Sequence, residues 1–215
     1  TLSGGGSLVS GGMNLNDAQS KLLLNSITLD SASTSANSLG LDVDANSTIT
    51  SLSVGHITPV SIKANRTLSG SITVTAGSIK LGETGTLAST VTMSGGTLEA
   101  DNNLTLSGAL TQAGNITIAV AENKTLGYSG AAVNLGAKTL TMSGKGTINN
   151  TNALVLNNAS SKLLLSNTTT VGSVYTSLAS SGIDVNESST ITSLSVAHTT
   201  PFSIADGKTL SGGIT

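Results

Sequence analysis

Residues 42–73 return at residues 184–215, an offset of 142, with 21 of 32 positions identical. The eleven changed positions are 44, 45, 46, 55, 57, 60, 63, 64, 65, 66 and 71, and the octapeptide STITSLSV at 47–54 is untouched at 189–196. The kinship runs further upstream: KLLL at 21–24 returns at 162–165, and SGGG at 3–6 corresponds to SGKG at 143–146. Residues 1–142 are therefore read as one full long repeat and 143–215 as the first half of a second copy. Repetition of this kind constrains the fold strongly, because each unit presents the same surfaces to the next and buries them by stacking. One continuous solenoid is expected. The chain opens without Met and in mid-pattern, so a piece of a longer protein is expected as well.

A shorter repeat lies inside the long one. Thr48, Thr67, Thr86 and Thr105 are each 19 residues apart, Thr125 follows after 20, and Thr190 and Thr209 are again 19 apart. Twelve residues after the first three Thr stand Val60, Ile79 and Leu98; fourteen residues after the first four stand Ile62, Leu81, Ala100 and Ala119. Polar corners (KANR, GETG, DNN, AENK and ADGK) precede the restarts. Apolar residues two apart share one face of a strand, and Gly, Asn and Asp supply turns. Helical periodicity is missing, and Thr, Ser, Val, Gly and Asn are poor helix formers. The pattern predicts an all-β, single-stranded parallel β-helix, right-handed, with coils of about 19 residues, three short strands per coil and a rise of ~4.8 Å per coil. The Thr125–Thr139 interval of 14 residues and the long stretches 21–47 and 162–189 read as irregular coils, with SASTSANS at 31–38 and SLASSG at 177–182 as loops outside the barrel.

Composition fits a narrow barrel. Aromatic residues are 1% of the chain, and Leu, Ile, Val and Ala supply the core. Charged residues are 9%, with a net charge of −2 and the nine basic residues scattered singly. Nucleic acid and anionic membrane surfaces need clustered Lys and Arg, so neither is an expected partner. No apolar run approaches the ~20 residues of a membrane span, so no membrane insertion of this segment is expected. There is no Cys, which removes disulfides and thiolate metal ligands.

The 19-residue period, the TLSG-like restarts and the absence of Cys resemble the right-handed β-helices of secreted prokaryotic surface proteins, with the shaft of filamentous haemagglutinin and autotransporter passengers as the nearest comparison. The resemblance is one of architecture. It implies a surface stalk or adhesin exported from a prokaryotic cell, extracellular, touching neighbouring copies of the repeat and surface glycans. It implies no cofactor.

Asp42, Asp44 and Asn46 have the D-x-D-x-N spacing that opens a calcium loop, making Asp42 and Asp44 candidate metal ligands. Ser47 and Ser53 stand where that loop needs Gly and Glu, and the second copy replaces Asp44 by Asn186. A strand with Leu41, Val43 and Ala45 inward and both Asp outward accounts for the same residues. His56 and His198, followed by Pro59 and Pro201, have no metal-ligand neighbours in sequence and read as corner residues. Nine Asn-x-Ser/Thr sequons, at Asn46, Asn65, Asn103, Asn115, Asn123, Asn149, Asn158, Asn167 and Asn186, are candidate glycosylation sites, though turn preference in a Thr-rich chain also produces them. Thr-x-Thr pairs are candidates for an ice-binding ladder, but at a 19-residue offset Thr50 aligns with Ser69, Ala88 and Ser107 and the ladder breaks. Eleven carboxylates are spread along the chain with a single Arg, Arg66, which becomes Lys208 in the second copy. A polysaccharide-active β-helix needs carboxylates converging on one groove.

The expected role is a stiff stalk or surface-binding rod without catalytic residues. The alternative is a filament or sheath subunit stacking end to end through unpaired strand edges. A β-helix enzyme and an ice-binding solenoid are lesser alternatives.

Overall fold

The computed structural model describes residues 1–9 and 12–215. It is a β-solenoid without helix among those residues. Face I is a sheet of 11 strands, one per coil, running from Leu2–Ser3 at one end to Phe202–Ile204 at the other. A second sheet of 16 strands bends to form faces II and III. Long strands such as Ser47–Val54 cross both of these faces, whereas other coils split the path in two, as in Thr86–Leu87 followed by Thr90–Met93. Every strand pairing is parallel and joins strands one coil apart.

The corners follow from residue chemistry. Along Ser47–Val54 inward and outward residues alternate until Thr50 and Ser51, which both face out. Two consecutive outward residues turn the strand from face II to face III. In the next coil Gly70 takes this corner at φ 116°, with Ile49 O only 1.8 Å from where a Cβ would stand. Between faces I and II, Lys63-Ala64-Asn65-Arg66 closes a tight turn through Arg66 N–H to Lys63 O at 2.9 Å. Asn65 has φ 59° there, and its counterpart in the second copy is Gly207 at φ 69°. Asn and Gly are the residues that enter this left-handed region most readily. Asn65→Gly is expected to leave stability within ~0.5 kcal/mol, and Asn65→Ala to cost ~1–2 kcal/mol, read as the midpoint shift in denaturant.

The lumen is filled by aliphatic columns. On face I, Ile79, Leu98, Ile118, Met142, Leu165 and Val185 follow one another through six coils. Of the three aromatic residues, only Tyr128 is buried. Each Leu or Ile so enclosed contributes ~1.5–3 kcal/mol by leaving water, and it does so only with a coil on either side.

Coil length averages nearer 20 than 19. Thr67, Thr86 and Thr105 do stack at 19, but Thr48 pairs with Ser69, and later face II steps lengthen to Thr125–Thr147 and Thr147–Thr170. Strict 19-residue alignment therefore misplaces several columns. Val60 pairs with Leu81 rather than Ile79, and Ala100 pairs with Val120, leaving Ala119 on the outer surface opposite Glu99. A one-residue change of step moves a side chain to the other face, and the turns absorb it.

The stretches read as irregular are also regular. Residues 31–34 belong to the strand Thr28–Thr34, so only the end of SASTSANS leaves the sheet, and Lys21 pairs with Gly40 at the ordinary step. In the second copy, 177–181 is a corner leading into the strand Gly182–Val185. Thr125 and Thr139 lie on different sheets and are not consecutive restarts.

Candidate functional site

Asp42 lies in the strand Gly40–Val43 with Leu41 and Val43 fully buried, while Ala45 sits half-buried in the following turn rather than inward. Each carboxylate already has a cation. Lys21 Nζ is 2.6 Å from Asp42, and Lys63 Nζ is 2.8 Å from Asp44. The third member of the calcium-like triplet, Asn46, spends its Oδ1 accepting Thr67 N–H at 3.0 Å. Among the described residues no group of three or more His, Asp or Glu is placed to hold a metal ion. The hydrogen bond and charge of Asp44 hold the Lys63 ammonium above its ordinary pKa, and Glu99 does the same for Lys80 at 2.9 Å. Millimolar Ca²⁺ is accordingly expected to leave the melting temperature unchanged, since a ligand stabilises only by binding the folded state.

The ion pairs are inter-coil staples, and the repeat preserves them unevenly. Lys21–Asp42 recurs as Lys162–Asp184 at 2.5 Å. Lys63–Asp44 is lost to Ala205 and Asn186, and a new pair, Lys208–Glu187 at 2.7 Å, forms at the same corner. These pairs are partly exposed and screened by solvent, so they add little to stability.

His56 and His198 are exposed corner residues whose carbonyls accept Thr58 and Thr200 hydroxyls at 3.1 and 3.0 Å. The sequon asparagines are scattered over the corners and are not drawn together. Eight are exposed, and Asn158 is half-buried, accepting Ser160 N–H. Asn103 and Asn115, like Asn46, accept a backbone N–H from the next coil, at 2.8 Å each. Asn65 and Asn123 occupy positive-φ turn positions at 59°. Asn149 is exposed on the face II strand Thr147–Asn150; Asn167 and Asn186 lie at corners.

Two concave features repeat with the sequence. A shallow groove of about 230 Å³ at the corner of faces I and II is lined by Ser26, Thr28, Ser47, Thr48, Thr67 and Ser69 with neighbouring backbone. Its counterpart of about 130 Å³ is lined by Thr168, Thr170, Ser189, Thr190, Thr209 and Ser211. No charged side chain lines either groove. Ser47 Oγ donates to Ala45 O at 2.9 Å, and Thr190 and Ser211 hydroxyls meet at 2.9 Å. With no base alongside, these hydroxyls are suited to hydrogen-bonding a neutral polar ligand and not to nucleophilic attack. A separate depression of about 250 Å³ on face I holds Glu99 and Asp101 beside Thr97 and Thr117.

The groove is not visible in the sequence because residues about one coil apart, on successive coils, build it. The same holds for an outward hydroxyl column on face III, Ser33, Ser53, Thr73, Thr92 and Thr111. The 19-residue alignment placed Thr50 in a ladder with Ser69, whereas Thr50 stands at the corner and Ser69 pairs with Thr48. No protein-family model, curated protein or solved structure matches this chain, so the β-solenoid architecture and its repeated corners are what characterise it.

Proposed function

We propose that this chain is a rod segment of an extracellular, cell-surface repeat protein of a prokaryote, acting mechanically and without catalysis. The observation that carries this reading is the unbroken face I sheet of 11 parallel strands along a single axis, with every ion pair among the described residues linking one coil to the next. Eleven coils at ~4.8 Å make a rod about 50 Å long. The two hydroxyl grooves stand seven face I strands apart, about 34 Å, and offer paired contact points for neutral surface glycans, where weak contacts gain by multivalency. Pulling the chain from its ends in a single-molecule experiment is expected to release one coil at a time, each ~70 Å of extended chain. A soft extension without steps would overturn the mechanical role.

A further inference from the structure

Among the described residues, one junction on face III has no ladder. The strand Leu110–Gln112 pairs with Thr90–Met93 on one side and with no strand on the other; Val133–Asn134 pairs with Leu154–Leu156 and with nothing toward Leu110–Gln112. The other two faces cross the same junction intact. On face I, Thr97–Ala100 pairs with Ile116–Val120, and that strand with Thr139–Gly144; on face II, Leu104–Leu106 pairs with Thr125–Tyr128. The cause is local. Four residues, 129–132, separate the face II and face III strands of this coil, against three, 107–109, in the coil below and three, 151–153, in the coil above. The extra residue displaces the strand that follows it.

Two side chains replace the missing backbone bonds. The Tyr128 hydroxyl accepts Leu110 N–H at 3.1 Å and donates to Ala131 O at 2.5 Å. Its ring is 4% exposed, and a Cβ on Gly130 would stand 2.7 Å from the ring edge and hydroxyl, so Gly130 keeps the space for it. Gln112, also 4% exposed, donates its Nε2–H to Thr139 O of the next coil at 2.8 Å, while its Oε1 has no partner. A buried polar atom left unpaired is a local cost that a regular ladder avoids.

We infer that this junction is a hinge in the rod, which opens on face III, pivots on faces I and II, and is latched by Tyr128 and Gln112. The inference rests on the rod reading and adds a place where the rod bends, between a stiff stretch ending at Gln112 and another beginning at Val133. A hinge of this kind lets a stalk change direction without unfolding a coil, because two of three ladders stay closed.

Hydrogen exchange on the full chain tests it. Amides of 110–113 and 129–135, next to the open junction, are expected to exchange on the order of tenfold faster than those of Thr90–Met93 and Leu154–Leu156, which are paired by ladder on both sides. Tyr128→Phe keeps the ring and removes the latch, and is expected to speed the 110–113 and 129–135 amides by a further order of magnitude while leaving Ser78–Leu81 and Thr139–Gly144 unchanged. Uniform protection across the junction in the unmodified chain overturns the hinge, and so does a variant that speeds every coil alike. Should Tyr128→Phe fold poorly, the unmodified comparison and Gln112→Leu, which removes the other latch, decide the matter. Stepwise unfolding under force together with uniform exchange would leave the rod standing and remove only the hinge.

Discussion

Gly70→Ala is expected to cost about 4 kcal/mol or more, which lies at the far end of single-substitution effects. The position has φ 116°, and the new Cβ would stand 1.8 Å from Ile49 O and 2.7 Å from its carbonyl carbon. Neither atom can move without breaking the corner of the coil below. For a chain of this size the melting temperature should fall by about 10 °C. Gly82→Ala is the matched control: nothing lies within 4 Å of a Cβ there, and the change should stay within ~0.5 kcal/mol. Equal effects of the two substitutions would show that the corner geometry is not what limits stability. The repeat obeys the same constraint, since Gly212 keeps φ 124° with Ile191 O at 1.8 Å, while the next residue changes freely from Ser71 to Gly213.

The second large effect is positional. Ile72→Ala should cost about 3 kcal/mol, in the range for a fully enclosed Ile, because Ile72 is 1% exposed between the strands Ser47–Val54 and Thr90–Met93. Ile57→Ala, by contrast, removes a side chain that is 41% exposed at a corner, and the loss should be below ~1 kcal/mol. Denaturant midpoints for the two variants read the difference. Similar losses would mean that stacking contributes little to the core, against the one-dimensional energetics of a solenoid.

Much of the fold is legible in the residues. The period of two in Leu41 and Val43, the Asn or Gly at 65 and 207, and the restart Thr67, Thr86 and Thr105 all report local chemistry that the coils retain. The step from coil to coil, however, is not constant. A two-residue slip keeps a column on its face, so Leu81 over Val60 preserves the core, but it reassigns the partner, as Ser69 over Thr48 shows. The pairing of Asp42 and Asp44 with Lys21 and Lys63 was equally hidden: the partners lie about 20 residues away, one coil up or down, and the calcium-like spacing is a property of a single coil.

The sequence by itself determined the strand chemistry, the turn residues, the aliphatic lumen and the stacking of repeated units, because each of these depends on a few residues in a row. Only the tertiary structure decided which coil lies over which residue. That choice makes the grooves from Ser26, Thr48 and Thr67, the staples from distant Lys and Asp, and the junction where Tyr128 stands in for a ladder. Coil length is set by the sum of turn geometries around a whole circuit, and a one-residue change at 129–132 is too small to mark in the sequence yet large enough to break a hydrogen-bonded register.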